Sequence, residues 1–262
     1  MSHQFPQNFV TLHTGEEILR AKSVAAIQAS ENLRLHAVFI ERCMDTIEYL
    51  CRRYDTNDAD ELIVQHLGAR MFNASASALK LLLSGYYQAS ALQQRDMLET
   101  VFLLDYFTTD HALITRWNSL APKERWKEFK PILIRTVLDK RDGFINRKRQ
   151  KAYDLLSELA GHPTPQGFVM LRPQGMDAHL GPFFDDMALD AVLSELANNV
   201  GQAADHINRL CATEALPHFP AKILFLEAQS SWMERFFDRV PDRTRIEKAW
   251  ELYKQWATTA KT

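Results

Sequence analysis

Residues 59–108 read ADELIVQHLGARMFNASASALKLLLSGYYQASALQQRDMLETVFLLDYFT, and apolar side chains recur along this stretch at helical intervals. Leu62, Ile63, Leu67, Met71, Phe72, Leu79, Leu82, Leu83 and Tyr86 lead, and Leu92, Leu98, Phe102 and Tyr106 follow. A single helix over all of it would be ~75 Å long, too long for a compact domain. Ser84-Gly85 is the natural break. Both halves are apolar on more than one face, which predicts two helices at the centre of a bundle.

Outward from this stretch the sequence predicts further helices. Residues from about Glu16 to Arg53 lack Pro and Gly, and Tyr54-Asp55-Thr56-Asn57-Asp58 ends that run and supplies N-caps for the next helix. On the other side, shorter helices are expected at 110–120, 122–138 and 147–159, the second opened by Pro122 and the third stopped by Gly161-His162-Pro163. Residues 167–171 and 176–180 flank Arg172-Pro173-Gln174-Gly175, which predicts a short β-hairpin, a lid over one bundle end. From Met187 to Cys211 the core stripe Leu189, Leu193, Leu196, Val200, Ala203, Ile207, Leu210 steps by fours and threes. The expected fold is thus all-α, a multi-helix bundle with one hairpin insertion near 167–180. A bundle domain over 1–215 would be followed, after the linker Leu216-Pro217-His218-Phe219-Pro220, by a C-terminal amphipathic appendage over 216–262, broken near Val240-Pro241.

Composition narrows the function classes. The 262 residues are 46% hydrophobic and 24% charged, with a formal net charge of −2, which is ordinary globular composition and disfavours a globally basic nucleic-acid binder. Cys43, Cys51 and Cys211 are sparse and odd in number, as in a reducing compartment. Residues 1–15 have no apolar core like that of a signal peptide, and the longest uncharged apolar run, Leu81 to Gln94, is too short to span a bilayer. A cytoplasmic protein is expected. No GxGxxG, Walker, GxSxG, HExxH or paired Glu-x-x-His motif occurs, so neither cofactor nor metal is expected; Glu158 and His162 stand one residue too far apart for a di-metal pair.

Several polar groups stand where core is expected. Arg95 and Glu99 share a helix face at i, i+4, with Asp96 beside them and Arg70 and Lys80 upstream. They form either a register-fixing ion pair or a polar pocket in which Arg95 holds a phosphate or carboxylate. Tyr153, Ser157 and Gly161 are spaced by four, beside the row Glu158 and His162. His162 is either a helix stop or a general acid/base that meets the Arg95 network. His179 leads from the expected hairpin into Gly181-Pro182-Phe183-Phe184-Asp185. Glu195, Asn199, Gln202 and His206 form a polar stripe beside the apolar one, most simply solvated. Lys140, Arg141, Arg147, Lys148, Arg149 and Lys151 put six cations in twelve residues, a solvated helix boundary or a contact for a phosphate backbone. The C-terminal aromatics Trp232, Phe236, Phe237, Trp250, Tyr253 and Trp256 either pack on the bundle or dock a second protomer.

The segments LLLSGYYQAS (81–90), Arg95-Asp96-Met97-Leu98-Glu99, and Tyr153 through Ser157-Glu158 to His162-Pro163 resemble the bacterial helical family catalogued as domain of unknown function 5677, over about residues 60–200. An Arg-x-x-x-Glu helix followed by a His at a helix end also looks distantly like the HEPN superfamily. That likeness implies a place in toxin–antitoxin or phage-defence systems, often as ribonucleases. Catalytic HEPN ribonucleases carry Arg, four to six residues, then His on one helix. Here that spacing occurs only from Arg172 to His179, across Pro173 and Gly175, so ribonuclease catalysis is not carried over. The expectation is a ligand-binding or protein-interaction module, possible as a homodimer through its C-terminal aromatic helices. Its central polar pocket, for a small molecule or RNA, would draw on Arg95, Glu99, Tyr153, Ser157, Glu158, His162 and His179. The alternatives are a ribonuclease or phosphohydrolase with Arg95 as phosphate binder and His162 or His179 as acid/base, and a regulatory protein that recruits a partner by its C-terminal helices.

Overall fold

The computed structural model describes residues 6–174, 176–211, 216–239 and 243–259. Eleven α-helices run through them: α1 (Gln7–Ala29), α2 (Glu31–Arg52), α3 (Ala59–Leu83), α4 (Tyr87–Phe107), α5 (Ala112–Ser119), α6 (Pro122–Glu128), α7 (Pro131–Arg141), α8 (Lys148–Leu156), α9 (Asp186–Leu210), α10 (Phe219–Phe237) and α11 (Arg243–Thr259). The fold is all-α. No helix among the described residues is long and apolar enough to cross a membrane.

Four helices make the centre. α4 lies against α3 and α9, and α2 packs along α9. α4 buries Tyr87, Met97, Leu98, Val101, Leu104 and Phe107, more than one face of its cylinder, as its all-round apolar sequence requires. Polar side chains tie the centre across helices: Ser90 Oγ donates to Ala78 O at 2.9 Å, and the fully buried Gln94 donates to Val192 O at 3.0 Å. The break between α3 and α4 falls at Ser84-Gly85. Gly85 has φ +84°, and a Cβ there would stand 2.4 Å from the Phe183 carbonyl oxygen, so both backbone angle and close approach demand glycine.

Two expected helices are each divided. The run from Glu16 to Arg53 is interrupted at Ser30, which takes an extended conformation and caps α2 by accepting from Leu33 N–H. The 122–138 helix is divided before Pro131, which starts α7 at its first turn. The expected break at Val240-Pro241 lies outside the described residues.

The β-hairpin near 167–180 does not form; there is no strand among the described residues. Residues Gln166–Leu171 instead make a 3-10 turn. Thr164 Oγ1 accepts the Gly167 N–H at 2.9 Å, and the Gln88 side-chain amide donates to both Leu159 O and Gly167 O at 3.0 Å. These bonds draw the segment onto α4 and wind it. One cross-bond survives, His179 N–H to Leu171 O at 2.9 Å, which is too little for a ladder. Gly175, the expected turn glycine, lies outside the described residues. Phe183 packs edge-on to Tyr87 at 5.4 Å, and Phe184 lies under the Lys22 ammonium at 4.1 Å.

α10 covers α2. Trp232 donates its indole N–H to His36 Nδ1 at 2.9 Å, Phe236 stacks on the His36 ring at 4.1 Å, and Phe39 stacks on Trp232 at 4.7 Å. α11 packs on α10, with Trp250 donating to Glu227 at 2.7 Å.

Candidate functional site

Arg95 and Glu99 occupy successive turns of α4 on the face turned to α7 and α8. α8 brings Tyr153 over Arg95, with the guanidinium 4.6 Å from the ring centre. From the opposite element, α7, Arg135 lays its own guanidinium against the same ring at 4.1 Å. Two cations thus lie against one phenol ring. Proton donors run in one direction through the group. Arg95 Nη2 donates to the Tyr153 hydroxyl, and that hydroxyl donates to Glu99 Oε1 at 3.0 Å. Arg95 Nε donates to Ser157 Oγ at 3.2 Å, while Arg95 and Glu99 themselves stand 3.9 Å apart. Burial and the bond to Glu99 raise the Tyr153 hydroxyl above its ordinary value, so it remains a donor.

The column is reachable from outside: the Arg95 side chain is 25% exposed and Glu99 36%. Beside it, between α3, α4, α5 and α7, lies a cleft of ≈ 360 Å³. Leu67, Phe102, Trp117, Phe129 and Ile134 give it apolar walls, and Arg70, Glu99 and Arg135 its polar wall. Arg70 is engaged, donating to Thr100 Oγ1 at 3.2 Å and to Asp96 at 2.5 Å. An apolar recess with few oriented polar groups is the usual form of a small-molecule site.

Of the residues expected from sequence, Arg95, Glu99, Tyr153 and Ser157 come together. Glu158, His162 and His179 are exposed. The reason lies in a π-turn over Ser157–Gly161, closed by the His162 N–H on Ser157 O at 2.9 Å. Gly161 stays against Arg95, where a Cβ would meet Nε at 3.4 Å. His162 then leaves in an extended conformation, as a residue before proline prefers. His179 touches Phe183, ring to ring at 5.8 Å. Arg135 and Gln150, whose side-chain oxygen accepts from Arg135 Nε at 2.9 Å, were not among the expected residues.

The other polar groups have mainly structural partners. On α9 the stripe turns inward rather than to solvent. Asn199 is fully buried against Gln94, burial raises the Glu195 carboxyl, and burial lowers His206, with Asp105 and Asp205 partly offsetting it. Arg141 and Arg149 close on Asp105, Asp139 and Asp142, binding the 142–147 turn to α4. Burial also holds the thiols up, Cys51 to about 11 and Cys211 to about 12. Among the described residues, no group of three or more His, Cys, Asp or Glu side chains is placed to hold a metal ion.

No family model, no curated protein and no solved structure matches this chain.

Proposed function

We propose that the protein is a binding module for a small ligand, with the cleft beside the Arg95–Tyr153–Arg135 column as its recognition site. The observation that carries this is the fixed, half-exposed Glu99 carboxylate on the wall of an otherwise apolar and aromatic recess. Tyr153 occupies one Glu99 oxygen. A ligand with an apolar body and a protonated amine or hydroxyl would present its donor to that carboxylate and its body to Phe102, Trp117 and Phe129. Arg95 orients Tyr153 and Glu99 in this reading, and Arg135 closes the wall. The module is proposed to pair with a second copy through its C-terminal helices, where Phe237 and Leu252 stand about half exposed.

A hydrolytic role draws less support. Arg95 already uses Nε and Nη2 on Ser157 and Tyr153, and His162 and His179 are exposed side chains.

Thermal-shift titration with aryl-alkyl amines (phenethylamine and tryptamine) tests the ligand proposal. The parent is expected to be stabilised, and Glu99→Gln and Arg95→Glu to lose the response. Equal shifts in parent and variants, or none with either amine in the parent, would sink it.

A further inference from the structure

A second cleft, of ≈ 370 Å³, lies between α7 and the 142–147 turn, and Arg135 lines this one too. Its character differs from the first. Lys140 from the end of α7 and Arg147 from the start of α8 stand on its rim, and neither forms an ion pair among the described residues. Phe144 and Ile145 supply apolar wall. The one carboxylate on that wall, Asp139, is already taken: it accepts the Arg149 guanidinium at 3.2 Å and the Arg149 backbone N–H at 3.3 Å. Arg135 is 5% exposed, and its Nη1 is shielded from solvent without a hydrogen-bond acceptor. A buried charged donor nitrogen without an acceptor is a rare and costly arrangement, and here it belongs to a side chain in the wall of a cleft that has two more cations on its rim.

We propose that this cleft binds the phosphate group of a small phosphorylated molecule with an apolar body, with Lys140 and Arg147 as donors on its rim and the Arg135 charge in its wall. Three cations arriving from separate positions suit a group with three terminal oxygens and nearly two charges better than a planar carboxylate, which one Arg fork would satisfy. The first cleft is the poorer anion site because Glu99 lies in its wall. A single-stranded nucleic acid is also less suited. Phe144, the aromatic of the turn, has Lys148 Nζ at 4.9 Å and the Arg149 guanidinium at 5.4 Å from its ring centre, so it is not an open stacking platform. The rim is held in place by the Asp105, Asp139 and Asp142 ion cluster, so little ordering is needed on binding. The argument for this site does not rest on the ligand proposed for the first cleft.

Isothermal titration calorimetry of the full chain with phenyl phosphate, inorganic phosphate and benzoate tests it. Phenyl phosphate is expected to bind one to one and at least about tenfold more tightly than the other two. Lys140→Ala combined with Arg147→Asn should weaken it by about tenfold or more. Both side chains are exposed, and Asn suits the left-handed backbone of residue 147, φ +50°. Glu99→Gln, which removes a carboxylate from the first cleft, should not weaken phenyl phosphate binding, although it abolishes the amine response; this separates the two sites. Affinity should fall as pH drops below the second phosphate pKa, about 6. The proposal is overturned by equal affinity in parent and double variant, by no binding at millimolar phenyl phosphate, or by a phosphatidylserine vesicle or single-stranded oligonucleotide that binds more tightly through the same two side chains.

Discussion

Tyr153 is the residue on which the candidate site turns, because it serves twice. Its hydroxyl links Arg95 to Glu99, and its ring lies against two guanidinium groups, those of Arg95 and Arg135. The two contributions can be parted. Tyr153→Phe removes only the hydroxyl between half-exposed partners and should cost about 1 kcal/mol of stability. Tyr153→Leu removes the ring face as well, at about 1 kcal/mol for each cation–π contact, for a total of roughly 3 kcal/mol. Urea unfolding of the three proteins measures the difference, and a Leu variant no worse than the Phe variant would mean the stacking contributes nothing. At this scale half of the site is legible in sequence. Arg95 with Glu99, and Tyr153 with Ser157, are i, i+4 pairs that any helix would align. Arg135 is not legible, since its place depends on how α7 and α8 cross and nothing within its own helix marks it. His162 ends the helix, the first of its two expected readings, for a local reason: the π-turn inserts a residue into the last turn, and Pro163 favours an extended His162.

Among the elements, α10 shows how a helix is fastened to a bundle by one titratable contact. The His36 imidazole accepts from the Trp232 indole and stacks on Phe236, which requires a neutral ring. Burial lowers its pKa, with Asp190 partly offsetting. The folded protein therefore refuses a proton that the unfolded chain accepts near pH 6.5. This contribution is complete above that value and declines as pH falls below it; His206, lowered by burial as well, acts in the same direction. Glu195, raised by burial, acts oppositely and only above about 4.5. The guanidinium midpoint should therefore drop between pH 7 and 5.5, and drop less in His36→Phe, which keeps a stacking ring without the titration. Parallel declines in both proteins would remove His36 as the cause. The element scale also shows what sequence pattern carries. The positions of α3, α4, α8 and α9 follow from apolar periodicity and from Gly85. The break at Ser30 is missed because a lone serine in a helical run is a weak signal until its side chain caps Leu33. The hairpin is misjudged because Gln88, far away in sequence, claims the Gly167 carbonyl.

For the whole molecule, the apolar side chains of the C-terminal helices fall into a buried set and an exposed set. Phe225, Trp232 and Phe236 pack on the bundle, whereas Phe237 is 51% exposed and Leu252 54%. Pairing of two copies should depend on this second set. Sedimentation at micromolar concentration is expected to give a dimer for the parent and a monomer for Phe237→Asp with Leu252→Asp. A parent that sediments as a monomer at all concentrations, or a variant that remains dimeric, would refute the pairing.

The guanidinium of Arg135 borders both recesses, so their occupants cannot be indifferent to one another. An anion beside Arg135 in one recess would change the charge that faces the other, and any effect each guest has on its neighbour's affinity must be equal in both directions. One shared side chain thus ties the two proposed guests to each other, since whatever charge the first places beside Arg135 the second must meet.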